Sequence, residues 1–388
     1  MFIIRQAKPH DLDDLHALAK QTYFINLPPD RDIIAGKIEQ SAKSFASLAA
    51  GNARIRTERA TDGGTKAGRN GKKNAGSAKA GSAGSKASGG AGIKALTGQS
   101  DLFLLVMEDV EGRTVVGTSQ VIASMGGPGH PRVSLKLGQA SRRSETLKLE
   151  WTHQIATLAT DERGPSEIGG LILNHAFRGH KLRLGRFLSF VRFHLVGLYR
   201  ERFADCIVAE MLGAIDRNGY SPFFEKFTRH FIPRSFDEVY RFSQTSKEFV
   251  TGLMPEYPLD LTIMDPEVAH AAGAVSEDTR PARRMLERLG FAYDGHVDPL
   301  DGGPHLEAAT DEILPVRSTQ AVKAIEAGAA SDLRAAPEAI LSTLDVLGEF
   351  RAVQTKATIK GGKAKVRKAD VSHLRAEWVR AGATVLST

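Results

Sequence analysis

Five basic side chains crowd one short stretch of this chain: Arg178, His180, Lys181, Arg183 and Arg186, set around Gly179 and Gly185. Cations, glycines that free backbone amides, and a following helix N-terminus together make an anion site. The stretch follows a short apolar strand, Glu167–Leu173, and leads into a helix, Arg186–Tyr199, that is apolar on most of its surface. A second strand, Cys206–Met211, comes next, so the unit reads as strand, basic loop, buried helix, strand. The chemistry on offer is the holding of a phosphorylated ligand. A P-loop is disfavoured because no G-K-[ST] follows the glycines. A dinucleotide fingerprint is disfavoured because the glycines are misplaced and the next strand carries no suitably placed ribose-binding acid.

The spacing His180-x-x-Arg183-x-Gly185 resembles the Q/R-x-x-G-x-G/A loop of GNAT-type acyltransferases, with His and Arg departing from the pattern at its first two positions. That resemblance implies a loop whose amides hold the pyrophosphate of coenzyme A. It also implies that the preceding strand parts from its neighbour to pair with the pantetheine arm. A backbone amide at about Leu171 would then face the thioester oxygen and stabilise an oxyanion.

A closer resemblance runs through Ile207-Val208-Ala209-Glu210-Met211-Leu212-Gly213, Ile215-Asp216 and Gly219-Tyr220-Ser221-Pro222-Phe223-Phe224. It continues through Leu253-Met254-Pro255, Thr279-Arg280-Pro281-Ala282-Arg283, Leu289-Gly290-Phe291 and Asp301-Gly302-Gly303-Pro304. In this order the motifs resemble the arginine N-succinyltransferase family, from about Met1 to Glu307 apart from an insertion. The family implies an α/β (α+β) chain: a GNAT-like acyltransferase core and a small C-terminal β-barrel-like domain. It implies transfer of succinyl from succinyl-CoA to the α-amine of arginine, opening the arginine succinyltransferase route of catabolism. No permanently bound cofactor is implied, since succinyl-CoA or another acyl-CoA is a co-substrate. Family members can work as multimers, so a homo-oligomer is among the expectations.

Carried over by position, Leu171 falls on the succinyl-CoA-binding leucine, and Arg178, His180, Lys181, Arg183, Gly185 and Arg186 form the coenzyme loop. The family's proton-donor histidine falls on Ser276, followed by Glu277-Asp278-Thr279. A serine hydroxyl is a poor acid or base near neutrality, where histidine titrates. This departure raises two alternatives: acylation of a different amine, or a non-catalytic acyl-CoA-binding homologue. His270, Glu277 and Asp278 are nearby substitutes, each also readable as a solvated surface residue. A guanidinium calls for carboxylates, and Glu210, Asp216 and Asp301 lie in motif segments; each also suits a turn or cap. Cys206, inside an apolar strand, reads as a structural thiol. Tyr220 could orient a substrate, but an aromatic before a helix reads more readily as core. The twelve histidines do not cluster at ligand spacing, so no metal site is expected.

Positioning these residues takes a chain of 388 residues that is 41% apolar and 25% charged, ordinary values for a globular protein. We read residues 1–310 as the acyltransferase domain, with a flexible low-complexity insertion at 61–92, and 311–388 as a small β-rich domain. Strands are expected at Phe2–Ala7, Leu102–Met107, Thr114–Ala123, Val133–Gln139 and Leu147–Leu158, and helices near Leu12–Ala19, Ala282–Leu289 and Ala321–Ala327. The net charge of +7 is unevenly placed: ten basic and two acidic residues lie between Asn52 and Leu96, and nine and two between Arg351 and Thr388. The remainder is acidic, which argues against nucleic acid as a partner. One cysteine, no apolar run long enough for a membrane span and no signal-like start make the cytoplasm the expected compartment.

Overall fold

The computed structural model describes residues 1–388 apart from 22–26, 63–99, 128–129, 217, 245 and 387–388. Residues 63–92 of the low-complexity insertion lie outside the described residues. Strand β1 (Phe2–Gln6) leads through Pro9 into helix α1 (Leu12–Ala19), whose first turn holds Asp13 and Asp14 at the positive end of the helix dipole. Helix α2 (Arg31–Asp62) buries Ile34, Ile38 and Phe45. The expected hairpin forms from β2 (Leu102–Asp109) and β3 (Thr114–Ile122). Strands β4 (Arg132–Ser144) and β5 (Leu149–Asp161) pair along their whole length as a ribbon.

The central unit is strand β6 (Ser166–Leu173), helix α3 (Leu184–Leu198) and strand β7 (Cys206–Glu210). Four helices follow: α4 (Pro222–Lys226), α5 (Phe236–Ser243), α6 (Glu248–Leu253) and, after the short strand β8 (Leu259–Asp260), α7 (Pro266–Ala271). Their starts are written locally. Ser221 accepts from the Phe224 amide with Pro222 in the first turn, and Ser235 and Glu238 cap each other's backbone. Helix α8 (Arg280–Arg288), β9 (Ala292–Val297) and β10 (Pro304–Ala309) complete this part.

Seven strands lie in the order β1-β2-β3-β6-β7-β10-β9, and β4, β5 and β8 continue beyond β9. One face of the centre is apolar: Phe187, Leu188, Val191 and Leu195 of α3 pack against Ile168, Ile207, Ala209 and Leu306. Strand alternation turns Val208 and Glu210, and likewise His305 and Glu307, to the opposite face. On that face α1 and the first part of α2 cover Leu104, Val106, Val115 and Ile172. The α4–α7 segment builds its own core, with Phe223, Phe224, Phe227, Val239 and Val250 against Val133, Leu135, Ala156 and Val297.

The C-terminal part holds β11 (Thr319–Val322), β12 (Ala324–Ala327), β13 (Glu338–Leu344), β14 (Phe350–Lys356), β15 (Thr358–Lys360), β16 (Lys363–Val366) and β17 (Arg380–Val385). A helix expected at Ala321–Ala327 is instead two strands, because ladder bonds to β17 and β16 outweigh the weak helical preference of alanine. The barrel expectation is also corrected: no closed barrel forms among the described residues. Strands β11, β17, β13 and β14 extend the main sheet through β1, while β12, β16 and β15 form a separate sheet. No helix among the described residues is long and apolar enough to cross a membrane.

Candidate active site

Strands β6 and β7 run parallel and pair only at Ser166 with Ile207 and Glu167 with Val208. Beyond that point they part. On its other side β6 slips register against β3: Gln120 stands opposite Gly169, but Thr118 opposite Ile172. The extra residue is a bulge. Gly170 within it has φ +57°, a left-handed conformation open to glycine, and neither Gly170 nor Leu171 has a register partner on β3 or β7. The slip places Leu171 and Leu173 on the α3 side, packed against the main core.

The basic loop stands at the end of this gap. Asn174 accepts from the Ala176 amide and starts a short turn, and Gly179 and Arg183 both take positive φ. Arg183 begins α3 from that strained conformation. The amides of Leu184 and Gly185, in the first turn, have no acceptor among the described residues. His180 is turned inward: its ring meets Phe2 edge-on at 5.3 Å, and its Nδ1 accepts from the Leu182 amide at 3.1 Å. Lys181 is exposed. Arg178 donates to Asp278 at 3.3 Å, which ties the loop to the segment after Ser276. Arg183 and Arg186 join Arg288 around a cavity of about 440 Å³ whose apolar wall runs from Phe190, Met285 and Leu289 to Leu314 and Val385 of the C-terminal part.

Behind the parted strands, on the face away from α3, lies a buried polar wall. Arg132 donates to Glu210 at 3.1 Å, to Glu307 at 3.2 Å and to His305 Nδ1 at 2.7 Å. Lys247 lies 3.4 Å from both Glu210 and Asp298. Burial pushes the Glu210 carboxyl up, yet the charges of Lys247 and Arg132 outweigh it and hold it below the usual carboxylate range. Burial likewise opposes the charge on Lys247, but Glu210 and Asp298 keep it protonated. Burial lowers His305 to about 4, so the ring is neutral, and the Arg132 bond to Nδ1 leaves the proton on Nε2. Glu210, Asp298 and His305 have ligand atoms within 4.8 Å of one another. Lys247 and Arg132 already supply the positive charge such a trio would ask of a metal ion. Lys37 on α2 is lowered by burial to about 8, with Glu167 acting in the other direction.

The other residues singled out in the sequence are spread more widely. Asp216 is exposed and accepts from the amides of Asn218 at 2.8 Å and Tyr220 at 2.9 Å, as a turn residue does. Asp301 is buried and accepts from Gly213 at 3.1 Å and Gly303 at 2.7 Å. It braces a close crossing: a Cβ on Gly303 would lie 2.0 Å from the Met211 carbonyl oxygen. Of the three carboxylates, Glu210 is the one at the parted end of β7. Ser276 adjoins that end too, its amide donating to Leu212 at 3.0 Å. His270 is exposed and bonded to Pro266. Tyr220, expected in the core, is 41% exposed. The Cys206 thiol is pushed up to about 11 by burial and faces Glu307, at the paired end of β7.

Sequence reading missed Gln120, Arg132, Glu167, Tyr240, Lys247, Asp298 and His305. One signal was present: Thr118-Ser119-Gln120 and Glu167 are polar interruptions in otherwise apolar strands.

Parted parallel strands, a basic loop heading a buried helix and a polar wall behind them are the layout of an acyltransferase. Residues 85–315 match the family model of the arginine N-succinyltransferase beta subunit. An arginine N-succinyltransferase of Yersinia enterocolitica is 36% identical over 252 residues, covering 65% of this chain and 72% of that protein. An arginine N-succinyltransferase subunit beta of Pseudomonas aeruginosa is 36% identical over 224 residues, covering 58% of this chain and 64% of that one. The solved arginine/ornithine succinyltransferase subunit AI from Pseudomonas aeruginosa shares the fold, with a TM-score of 0.71 at 22% identity, covering 100% of this chain and 99% of that one. The chain belongs to the arginine N-succinyltransferase family.

Proposed function

We propose that this protein transfers the succinyl group of succinyl-CoA to the α-amine of arginine, through a GNAT-like core and in the cytoplasm. The parting of β6 and β7 beyond Glu167 and Val208 carries this reading. The gap exposes main-chain amides to a pantetheine arm. The free amides of Leu184 and Gly185, at the positive end of α3, suit its pyrophosphate. Arg183, Arg186 and Arg288, with apolar walls between them, suit the nucleotide end.

The neutral amine attacks the thioester carbon from the face opposite α3. A C–N bond forms, the C–S bond breaks, the nitrogen loses a proton and the departing sulfur gains one. The Leu171 amide holds the oxyanion, and positioning supplies much of the remaining acceleration. No covalent intermediate on the protein is needed, which agrees with a Cys206 thiol kept protonated. Ser276 adjoins the gap without supplying an acid or base near neutrality. The names of the relatives favour arginine over a different amine, and a catalyst over a silent binder.

Purified chain incubated with succinyl-CoA and arginine should release free CoA thiol and yield N-succinylarginine by mass spectrometry. Folded protein that released no thiol above the buffer rate would overturn the reading, and a panel of other amines would then identify the acceptor.

A further inference from the structure

Besides the Nε2 of His305, two polar side chains on the buried wall lack the partners that buried groups normally have. Gln120 is fully buried, yet neither its amide nitrogen nor its amide oxygen finds a hydrogen-bond partner. Tyr240 is 9% exposed, and its hydroxyl is also unpartnered. Leaving such groups dry and unbonded costs stability. A site that awaits a ligand accounts for both.

Their placement says where the ligand would lie. The Gln120 side chain stands over Gly170, with its Cγ 3.2 Å from where a Cβ would be, so it borders the bulge beside Leu171. The Tyr240 hydroxyl sits in the field of Asp301, Asp298, Glu210 and Glu167. Glu167 is buried on the same sheet face as Gln120 and Glu210, at the last paired position before the strands part. Gln120 and Glu167 thus share one sheet face beside the bulge, Gln120 opposite Gly169 and Glu167 two residues before it, and the Glu167 charge reaches the Tyr240 hydroxyl. An amide oxygen, a phenol oxygen and a carboxylate on the side from which an acceptor must approach suit a planar cation whose N–H groups spread in several directions.

We propose that Gln120, Glu167 and Tyr240 are the specificity-determining residues that hold the guanidinium of the acceptor. This deepens the reading above and rests on it for the identity of that acceptor as arginine. Glu210 is left to its ion pairs with Arg132 and Lys247, which explains how the wall stays charged and ordered before an acceptor arrives.

The test uses the full chain with Gln120→Met and Tyr240→Phe, assayed with arginine, ornithine and lysine against succinyl-CoA. Each substitution should raise the KM for arginine about tenfold or more, the scale of a lost hydrogen bond to a charged group. The KM for succinyl-CoA should stay within about twofold, and the preference for arginine over ornithine should shrink with the first change. Melting temperatures should hold or rise, because the deleted groups had no partner. An unchanged arginine KM in folded variants, or a parallel rise in both KM values, overturns the proposal. If the unmodified chain acylates another amine and not arginine, the acceptor reading fails alone, and the variants' KM for that amine decides the inference. If it acylates none, arginine must raise the melting temperature of the unmodified chain and not of the variants, or the inference falls.

Discussion

Glu167 faces Val208 across the last parallel pair between β6 and β7, and from there the two strands separate. That separation and the adjacent bulge leave Leu171 without a register partner on either side, which is what the proposed role of its amide requires. Its side chain, packed toward α3, is a separate matter. Leu171→Ala should therefore keep kcat within a few-fold. Leu171→Pro removes the donor and should lower kcat about a hundredfold or more. Circular dichroism and CoA binding serve as checks on folding. Equal kcat in the two variants would remove the amide from the mechanism.

The arginines around the α3 cavity should act on the coenzyme alone. Arg183→Ala and Arg186→Ala should each raise the KM for succinyl-CoA about five- to tenfold, with less dependence on salt, while the KM for arginine holds. Steady-state kinetics at two ionic strengths reads both effects.

Ser276 adjoins the end of β7, its amide donating to the Leu212 carbonyl. A hydroxyl there does no proton transfer near neutrality, so Ser276→Ala should leave kcat within about threefold. A much larger loss, measured across pH, would give the hydroxyl a role.

Glu210 anchors two cations in a buried place, with its side chain only 3% exposed. Glu210→Gln leaves Arg132 and Lys247 short of compensating charge. It should destabilise the fold by about 3–5 kcal/mol in chemical denaturation. A loss below about 1 kcal/mol would mean that water enters the wall freely.

His194 joins α3 to the C-terminal strands, sharing bonds of 2.6 Å with Thr384 and with Ser342. Burial lowers its pKa to about 3, and burial lowers His305 to about 4. The unfolded chain, with histidines near the ordinary value of about 6.5, binds more protons between these limits. Stability therefore rises with pH through that window, is complete above about 6.5, and falls as pH drops below it. At pH 5 each histidine should cost on the order of 2 kcal/mol relative to pH 8. Denaturation at both pH values would show it, and His194→Gln should flatten the dependence by its own share.

Local signals made much of the scaffold legible. The apolar run of β6, the glycines and cations of the loop and the largely apolar surface of α3 marked the central unit and the loop proposed to hold the coenzyme. The buried polar wall was hidden, because Gln120, Glu167, Glu210, Tyr240, Lys247 and His305 come from β3, β6, β7, α5, the start of α6 and β10. Only sheet order makes them neighbours, and sheet order is not local. The helix expected near Ala321 failed for a related reason: its alternative depended on partners at β16 and β17, far along the chain.

Strand β14 lies against β1, with Ile4 opposite Ala352. Remove the stretch from Thr319 to Val385 and the first strand of the chain would offer its bare peptide groups to any passing copy. The tail thus works as a bumper that keeps neighbouring molecules from stitching together, and versions of this enzyme shortened there should precipitate.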